Sequence, residues 1–136
     1  MNQRPLVGIG VLICKDDLIL LGKRRNTLGE LSWAPPGGHL EFGEGFAQCA
    51  KREVLEEVGL DITDLKLITA INTYFVQEQK HYVSIMLSAQ YINGEPLLKE
   101  PNKCEQWCWF PWNSLPSPLF LSLKIFVEEG YTPYVK

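Results

Sequence analysis

Apolar and polar positions along the 136 residues divide the chain into strand-like and helix-like stretches. Residues 6–14 and 18–24 are apolar and β-prone, with a turn-like Lys-Asp-Asp between them, and this pattern predicts a β-hairpin. Residues 65–76 and 81–92 are rich in β-branched and aromatic side chains around a polar connection, and residues 104–112 have a similar character. We therefore expect three further strands.

Two other stretches have the composition of helices. Residues 46–58 contain good helix formers without Pro or Gly, and Gly59 follows at the position expected for a helix C-cap. Residues 118–130 fit a second helix that ends at a glycine. Residues 25–38 are rich in Gly, Pro and Asn and predict a loop that contains no strand. The order β-β-α-β-β-β-α predicts a mixed α/β domain.

Length, composition and charge narrow the class of protein. A chain of 136 residues with 46% hydrophobic residues can build one core, so we expect a single domain over residues 1–136. The net charge of -3 gives no positive field for a nucleic-acid polymer. No apolar stretch approaches the roughly 20 residues that cross a bilayer. We expect a cytoplasmic protein without a membrane partner, and a homodimer stays open.

Cysteine and histidine residues do not predict a metal site of their own. The four cysteines lack the paired spacing of a zinc site, and the two histidines, His39 and His81, are isolated. We therefore expect reduced thiols at Cys14, Cys49, Cys104 and Cys108.

Three glutamates share one face of the predicted helix. Glu53, Glu56 and Glu57 are related by i, i+3 and i+4, so they fall within roughly 100° of one another. An apolar stripe beside them can bury the helix against a sheet. We predict that this stripe consists of Ala47, Ala50, Val54 and Val58.

Like charges at this spacing repel one another, so a compensating positive charge is expected. Arg52 is one candidate, and a divalent cation held by the glutamates is another. Hard ions such as Mg²⁺ and Mn²⁺ prefer oxygen ligands and often bind carboxylates together with substrate phosphates. A solvated acidic face is the alternative.

The spacing around the glutamates favours the cation. From Gly38 the chain reads Gly, five residues, Glu44, seven residues, and then Arg-Glu-Val-Leu-Glu-Glu-Val-Gly-Leu over residues 52–60. This stretch resembles the Nudix box, G-x5-E-x7-R-E-U-x-E-E-x-G-U with U aliphatic, at every specified position. The resemblance implies an α/β/α sandwich with a mixed sheet that hydrolyses nucleoside diphosphates linked to another group.

The resemblance also implies roles for the residues of the box. Glu53, Glu56 and Glu57 would bind Mg²⁺ or Mn²⁺ together with the carbonyl oxygen of Gly37. Metals of this kind stabilise the charge that develops on phosphate oxygens and lower the pKa of bound water. A glutamate must then accept the proton of the attacking water, and Glu53 and Glu57 are both candidates.

The resemblance implies a structural role for two more residues of the box. Glu44 and Arg52 would form an ion pair that ties the preceding loop to the helix. Outside the box, Lys23 and Arg24 lie at a strand end from which they can reach phosphates.

Further segments are similar to the MutT-type nucleoside triphosphate diphosphatases, in particular to the branch that accepts oxidised and thiolated guanine nucleotides. They are "LLGKR", "PGGHLEFGE", "HYVSI", "KCEQWCWFPWNSLP" and "EEGYTPY". This similarity implies that Arg24 and His39 contact the triphosphate. It also implies a base pocket at Ser84, Phe120, Leu121 and Leu123.

The sequence departs from that branch at two places. Leu121 and Ser122 stand where the branch tends to have Trp-Gly, which bears on base preference, and the proline before the two glycines is doubled.

Two other functions stay open as alternatives. A Nudix enzyme for a sugar nucleotide, ADP-ribose or dihydroneopterin triphosphate is one alternative. A non-catalytic nucleotide-binding module is the other. We expect the four tryptophans to lie mainly in the core or at strand edges.

Overall fold

Two helices pack against a mixed sheet of seven strands in the computed structural model, which describes residues 3–134. The strands are β1 (Leu6–Lys15), β2 (Leu18–Arg24), β3 (Trp33–Ala34), β4 (Gly37–His39), β5 (Ile62–Phe75), β6 (Lys80–Tyr91) and β7 (Cys104–Pro111). Helix α1 (Phe46–Val58) follows β4, and helix α2 (Leu121–Glu128) follows β7. The predicted mixed α/β fold is confirmed.

Strand β1 lies at the centre of the sheet. The order of strands is β3-β2-β1-β6-β5, with β4 paired to β1 and β7 paired to β2. β1 and β6 are parallel, whereas β1 and β2, which form the predicted hairpin, are antiparallel. The register of the parallel pair places Gly8 beside Ser84, so residues that are distant in sequence become neighbours in the sheet.

Both faces of β1 are buried, each beneath one helix. Ile9, Val11 and Ile13 belong to the core on the side of α1, while Leu12 and Cys14 belong to the core on the side of α2. This explains why β1 reads as a nearly continuous apolar run and not as an alternating one.

Helix α1 has the predicted bounds, but its buried stripe is shifted. Gly59 adopts the left-handed conformation at φ 70° and donates its N–H to Leu55 O at 3.1 Å, as a helix C-cap does. Ala47 is exposed, and Cys49 is buried in its place. The prediction for Ala47 was wrong because the buried face of the first helical turn runs through Cys49 and not through Ala47. The buried side chains are Cys49, Ala50, Val54 and Val58.

The loop before α1 contains β3 and β4, which the sequence did not predict. Gly37 lies so close to β1 that a Cβ atom there would overlap the carbonyl oxygen of Ile9. Pro36 has no N–H, but its carbonyl oxygen accepts a hydrogen bond from Val11 N at 2.9 Å. The Pro-Pro-Gly-Gly segment therefore joins the sheet in two ways. The carbonyl oxygen of Pro36 accepts a hydrogen bond from β1, and the missing side chain of Gly37 lets the two backbones approach each other.

Helix α2 begins at Leu121, three residues later than predicted. The residues before it are held in extended form by β3, because Trp33 N donates to Pro118 O and Phe120 N donates to Trp33 O, each at 2.9 Å. This pairing determines where the first turn of α2 starts.

Two expectations about the thiols and about membrane-spanning segments can be compared with the structure. All four cysteines are free thiols, as predicted. Across residues 3–134, no helix has the length and apolar character needed to cross a bilayer.

We expect Gly37→Ala to destabilise the fold, because the added methyl group cannot coexist with the backbone of β1. Overpacking of this kind costs about 1 to 3 kcal/mol, which thermal unfolding would detect. Gly8→Ala is the matched control in the paired strand, because the atom nearest to a Cβ there, on the Tyr82 ring, is 3.5 Å away, which is an ordinary van der Waals contact. Equal melting temperatures for the two variants would contradict the close approach of β4 to β1.

Candidate active site

A cavity of about 580 Å³ opens between the acidic face of α1 and the edge of the sheet where β1, β4 and β6 meet. Its α1 wall carries Glu53, Glu56 and Glu57, and a second wall is largely aromatic. The loop after β6 adds two charged residues, Glu100 and Lys103. The cavity lining therefore combines an acidic wall on α1 with an aromatic wall formed by the sheet and by the segment before α2.

Arg52 holds the acidic wall to the loop before α1. Its Nε and Nη2 atoms donate to the Glu44 carboxylate at 2.7 and 3.0 Å. Its Nη1 atom donates to Glu53 at 2.8 Å and lies 3.5 Å from Glu56. Hydrogen bonds from Arg52 lower the pKa of Glu44 to about 2, so this carboxyl is ionised at neutral pH. The expected Glu44–Arg52 pair is present in the structure.

Two glycines of β4 bring backbone close to two of the carboxylates. Gly37 N donates to Glu57 Oε2 at 2.8 Å. A Cβ atom at Gly38 would overlap the carboxylate of Glu53. Desolvation raises the pKa of Glu57 to about 8, although the hydrogen bond from Gly37 acts in the opposite direction. Desolvation also raises the pKa of Glu53.

These carboxylates offer the donor chemistry of a hard divalent cation. The candidate ligands on Glu53, Glu56, Glu57 and Gly37 are all oxygen atoms, as Mg²⁺ and Mn²⁺ require. Within residues 3–134, however, no three His, Cys, Asp or Glu side chains form a preassembled metal-binding group. Arg52 lies among the carboxylates instead, so a bound cation would compete with its guanidinium group for Glu53 and Glu56.

Lys23 and Arg24 point to different faces of β2, as neighbours on a strand must. Arg24 lines the cavity, where its guanidinium group lies 4.5 Å from the centre of the Phe120 ring and its Nε atom donates to Leu28 O at 2.5 Å. Lys23 is paired with Glu105 at 3.7 Å and does not line the cavity. The structure therefore does not bring Lys23 into the cavity lining, and its contact with substrate phosphate stays a prediction.

His39 lies on the aromatic wall beside Tyr82. The two rings are stacked with centroids 5.5 Å apart, and His39 Nε2 is 3.0 Å from the Tyr82 hydroxyl. Both residues line the cavity. Tyr82 thus restricts the orientation of His39 in the cavity lining, and contact of His39 with a substrate phosphate stays a prediction.

The expected base pocket is only partly assembled from the predicted residues. Ser84 and Phe120 line the cavity, whereas Leu123 is fully buried in the core beneath α2 and Leu121 is outside the cavity lining. Ser122, between these two leucines, lines the cavity instead. The correction follows from the start of α2 at Leu121, because the first helical turn then directs Leu123 toward the sheet.

Several cavity residues were not predicted from the sequence. Phe75 packs against Phe120 with ring centroids 5.4 Å apart, and it also contacts Tyr82 edge to face. Both Phe75 and Tyr82 belong to strands that the sequence did predict. Because successive side chains of a strand point to opposite faces, the period of two along these strands could have indicated that Phe75 and Tyr82 line the cavity. Residues Glu100 and Lys103 come from a loop, whose position only the folded structure reveals.

The raised pKa of Glu57 predicts a pH dependence for the stability of the metal-free protein. Its pKa is 4.5 when unperturbed and about 8 in the fold. The folded state therefore binds the proton more tightly, and the free energy of unfolding falls as pH rises from about 4.5 to about 8. The fall is ~1.4 kcal/mol for each unit of pKa difference. Denaturant unfolding in the presence of a chelator would measure this decline.

Glu57→Gln should flatten this decline without abolishing it, because Glu53 contributes in the same direction. Glu44 acts outside this pH window, since its lowered pKa gives stability that is present above pH 4.5 and lost as pH falls toward 2. An identical slope in wild type and Glu57→Gln would show that burial of this carboxyl has no energetic cost.

Comparison with known proteins identifies the family. The model of the NUDIX domain matches residues 4–129. An ADP-ribose pyrophosphatase of Methanocaldococcus jannaschii is 33% identical over 124 residues, which are 91% of this chain and 72% of that protein. The oxidized purine nucleoside triphosphate hydrolase of Mus musculus is 30% identical over 106 residues, 78% of this chain and 66% of that protein.

A solved structure agrees with these matches. The crystal structure of a MutT NUDIX hydrolase from Burkholderia pseudomallei is 30% identical and superposes with a TM-score of 0.87 over 94% of this chain and 99% of that one. Nudix hydrolases generally use divalent metals such as Mg²⁺. The chain belongs to the Nudix family of pyrophosphohydrolases.

Proposed function

We propose that this protein is a Mg²⁺-dependent nucleoside triphosphate diphosphatase that converts a dGTP-like or oxidised purine nucleotide to its monophosphate and pyrophosphate. The observation that carries the proposal is the cavity itself, in which an acidic wall suited to cations and phosphates is combined with an aromatic wall suited to a base. The mouse relative named as a hydrolase of oxidized purine nucleoside triphosphates supports this substrate class.

At the acidic wall, Glu53, Glu56 and Glu57 would hold the metal together with the carbonyl oxygen of Gly37. The metal, when bound, supplies charge stabilisation for the phosphate oxygens and a more acidic water. The Arg52–Glu44 pair fixes the loop that leads into α1, and so preserves the positions of the carboxylates. We place Glu44 and Arg52 as positioning residues on this basis.

A proton acceptor is needed for the attacking water, and the chain offers two. Glu53 and Glu57 both line the cavity and are both held against the glycines of β4. Either carboxylate can take the proton while the other remains a metal ligand. His39 also lines the cavity, and its side chain would donate a hydrogen bond to a phosphate oxygen.

At the aromatic wall, Phe120 offers a ring face to the base. Arg24 and Phe75 pack against this ring, so it is held in place before substrate arrives. Ser84 contributes a hydroxyl group to the same end of the cavity. A wall with few side-chain donors discriminates modestly between bases, so we expect dGTP-like substrates to be preferred over pyrimidine triphosphates by about 10- to 100-fold.

A second candidate is hydrolysis of another nucleoside diphosphate derivative. The relative from M. jannaschii is named an ADP-ribose pyrophosphatase, and sugar nucleotides and dihydroneopterin triphosphate share the diphosphate group. Release of pyrophosphate distinguishes triphosphates from ADP-ribose and sugar nucleotides, and relative rates on a nucleoside triphosphate and dihydroneopterin triphosphate distinguish these two. A non-catalytic binding module would release neither pyrophosphate nor a nucleoside monophosphate.

The direct test is a hydrolysis assay across nucleoside triphosphates, ADP-ribose and sugar nucleotides, with and without Mg²⁺. We expect Mg²⁺-dependent release of pyrophosphate from purine triphosphates. Glu57→Gln should lower kcat by about 10²- to 10³-fold because a charge is lost where charge develops in the transition state. Glu128→Gln, at an exposed position of α2, is the matched control. Wild-type turnover of Glu57→Gln at saturating Mg²⁺ would refute the role of Glu57.

The base wall has its own test. Phe120→Ala should remove about 1 to 3 kcal/mol of stacking from kcat/KM, with a larger loss for dGTP than for dCTP. Phe42→Ala, at an exposed site outside the cavity lining, is the control for loss of an aromatic ring. Equal and negligible effects of Phe120→Ala on both nucleotides would mean that the base binds elsewhere.

A further inference from the structure

A buried threonine lies directly behind the serine of the base pocket. Thr73 on β5 is fully buried, and its Oγ1 atom is 2.9 Å from Ser84 Oγ and 3.2 Å from the carbonyl oxygen of Ile71. Ser84 on β6 lines the cavity and is 8% exposed. The three oxygens form a chain that runs from the sheet interior to the wall of the cavity.

The direction of this hydrogen-bond chain follows from the number of protons. Each hydroxyl group carries one proton, whereas the Ile71 carbonyl group can only accept. If Thr73 donates to Ile71 O, Ser84 can donate to Thr73, and both protons are used within the protein. If Thr73 donates to Ser84 instead, the bond to Ile71 O is lost in a fully buried place. Because unmade buried hydrogen bonds are costly, the first direction is favoured.

We propose that Thr73 is a positioning residue that makes Ser84 a hydrogen-bond acceptor toward the cavity, so that Ser84 selects bases with an exocyclic amino group. With its proton committed to Thr73, Ser84 Oγ turns lone pairs toward the ligand. A carbonyl group or an unprotonated ring nitrogen placed there would meet another acceptor. An N–H group would be paired. This inference rests on the proposed function and adds the polarity of the base pocket to it.

The exocyclic group is the part of the base that this acceptor recognises. Ser84 is almost buried, so only atoms that project from the edge of a ring can reach Oγ. Exocyclic amino groups project furthest and carry two N–H donors. Phe120 holds the ring face in the proposed pose, which leaves the edge of the base directed toward the sheet.

Matched nucleotides test the polarity. dGTP and dITP differ by the 2-amino group, and dATP and purine deoxyribonucleoside triphosphate differ by the 6-amino group. For wild type we expect kcat/KM to be about 10-fold higher for the amino-bearing member of at least one pair, since one hydrogen bond is gained. Equal values in both pairs, with all four nucleotides hydrolysed, would refute the inference and leave the proposed function standing. Hydrolysis of none of the four would refute the proposed function.

Variants then test the role of Thr73. Ser84→Ala should reduce the ratio within the responsive pair to about one. Thr73→Val should reduce it as well, because the Ser84 proton becomes free to turn into the cavity, whereas Thr73→Ser should retain the wild-type ratio. Thr63→Val, at an exposed position of the same strand, is the control.

The ratio separates positioning from stability, because both nucleotides are measured on one protein preparation. A lower melting temperature of Thr73→Val with an unchanged ratio would show that Thr73 is merely structural and would overturn the inference. If Thr73→Val does not fold, Thr73→Cys replaces the hydroxyl by a weak donor and weak acceptor of similar shape. The ratio must fall in that variant too.

Discussion

The arrangement of the site depends on a single positive charge, Arg52, placed among carboxylates that would otherwise repel one another. Its guanidinium group spans Glu44 in the loop and Glu53 on the helix with hydrogen bonds of 2.7 to 3.0 Å. A planar group with several fixed donors can join carboxylates in this way, whereas a lysine could not satisfy two of them with the same geometry. The acidic face of α1 can therefore remain folded against the sheet before any cation neutralises it.

The glycine pair of β4 is the second element of the same arrangement. Side chains at Gly37 and Gly38 would displace, respectively, the backbone of β1 and the carboxylate of Glu53. Their absence lets main-chain N–H and carbonyl groups, which are small and rigidly held, form one side of the cavity. The site is thus built from a helix that supplies charge and a strand whose two glycines supply only backbone.

Sequence periodicity was sufficient for the elements with strong local patterns. The β1–β2 hairpin, the bounds of α1 and its Gly59 cap could be predicted because each depends on neighbouring residues. The box spacing also selected the glutamates that line the cavity. The strand at Gly37 could not be predicted, because it pairs through a contact with β1 that no local pattern encodes. Likewise Ser122 replaced Leu123 in the cavity because pairing with Trp33 delays the start of α2.

The parallel register of β1 and β6 bears on how the protein folds. Gly8 and Ser84 are neighbours in the sheet although 76 positions separate them in the chain. Closing so long a loop is entropically unfavourable until the strands are paired, and non-local pairing of this kind slows folding. The β1–β2 hairpin and α1 can form from local contacts, but the cavity needs β6 in place. Formation of the cavity therefore belongs to the late steps of folding, and a nascent chain lacks its complete aromatic wall until Phe120 has been synthesised.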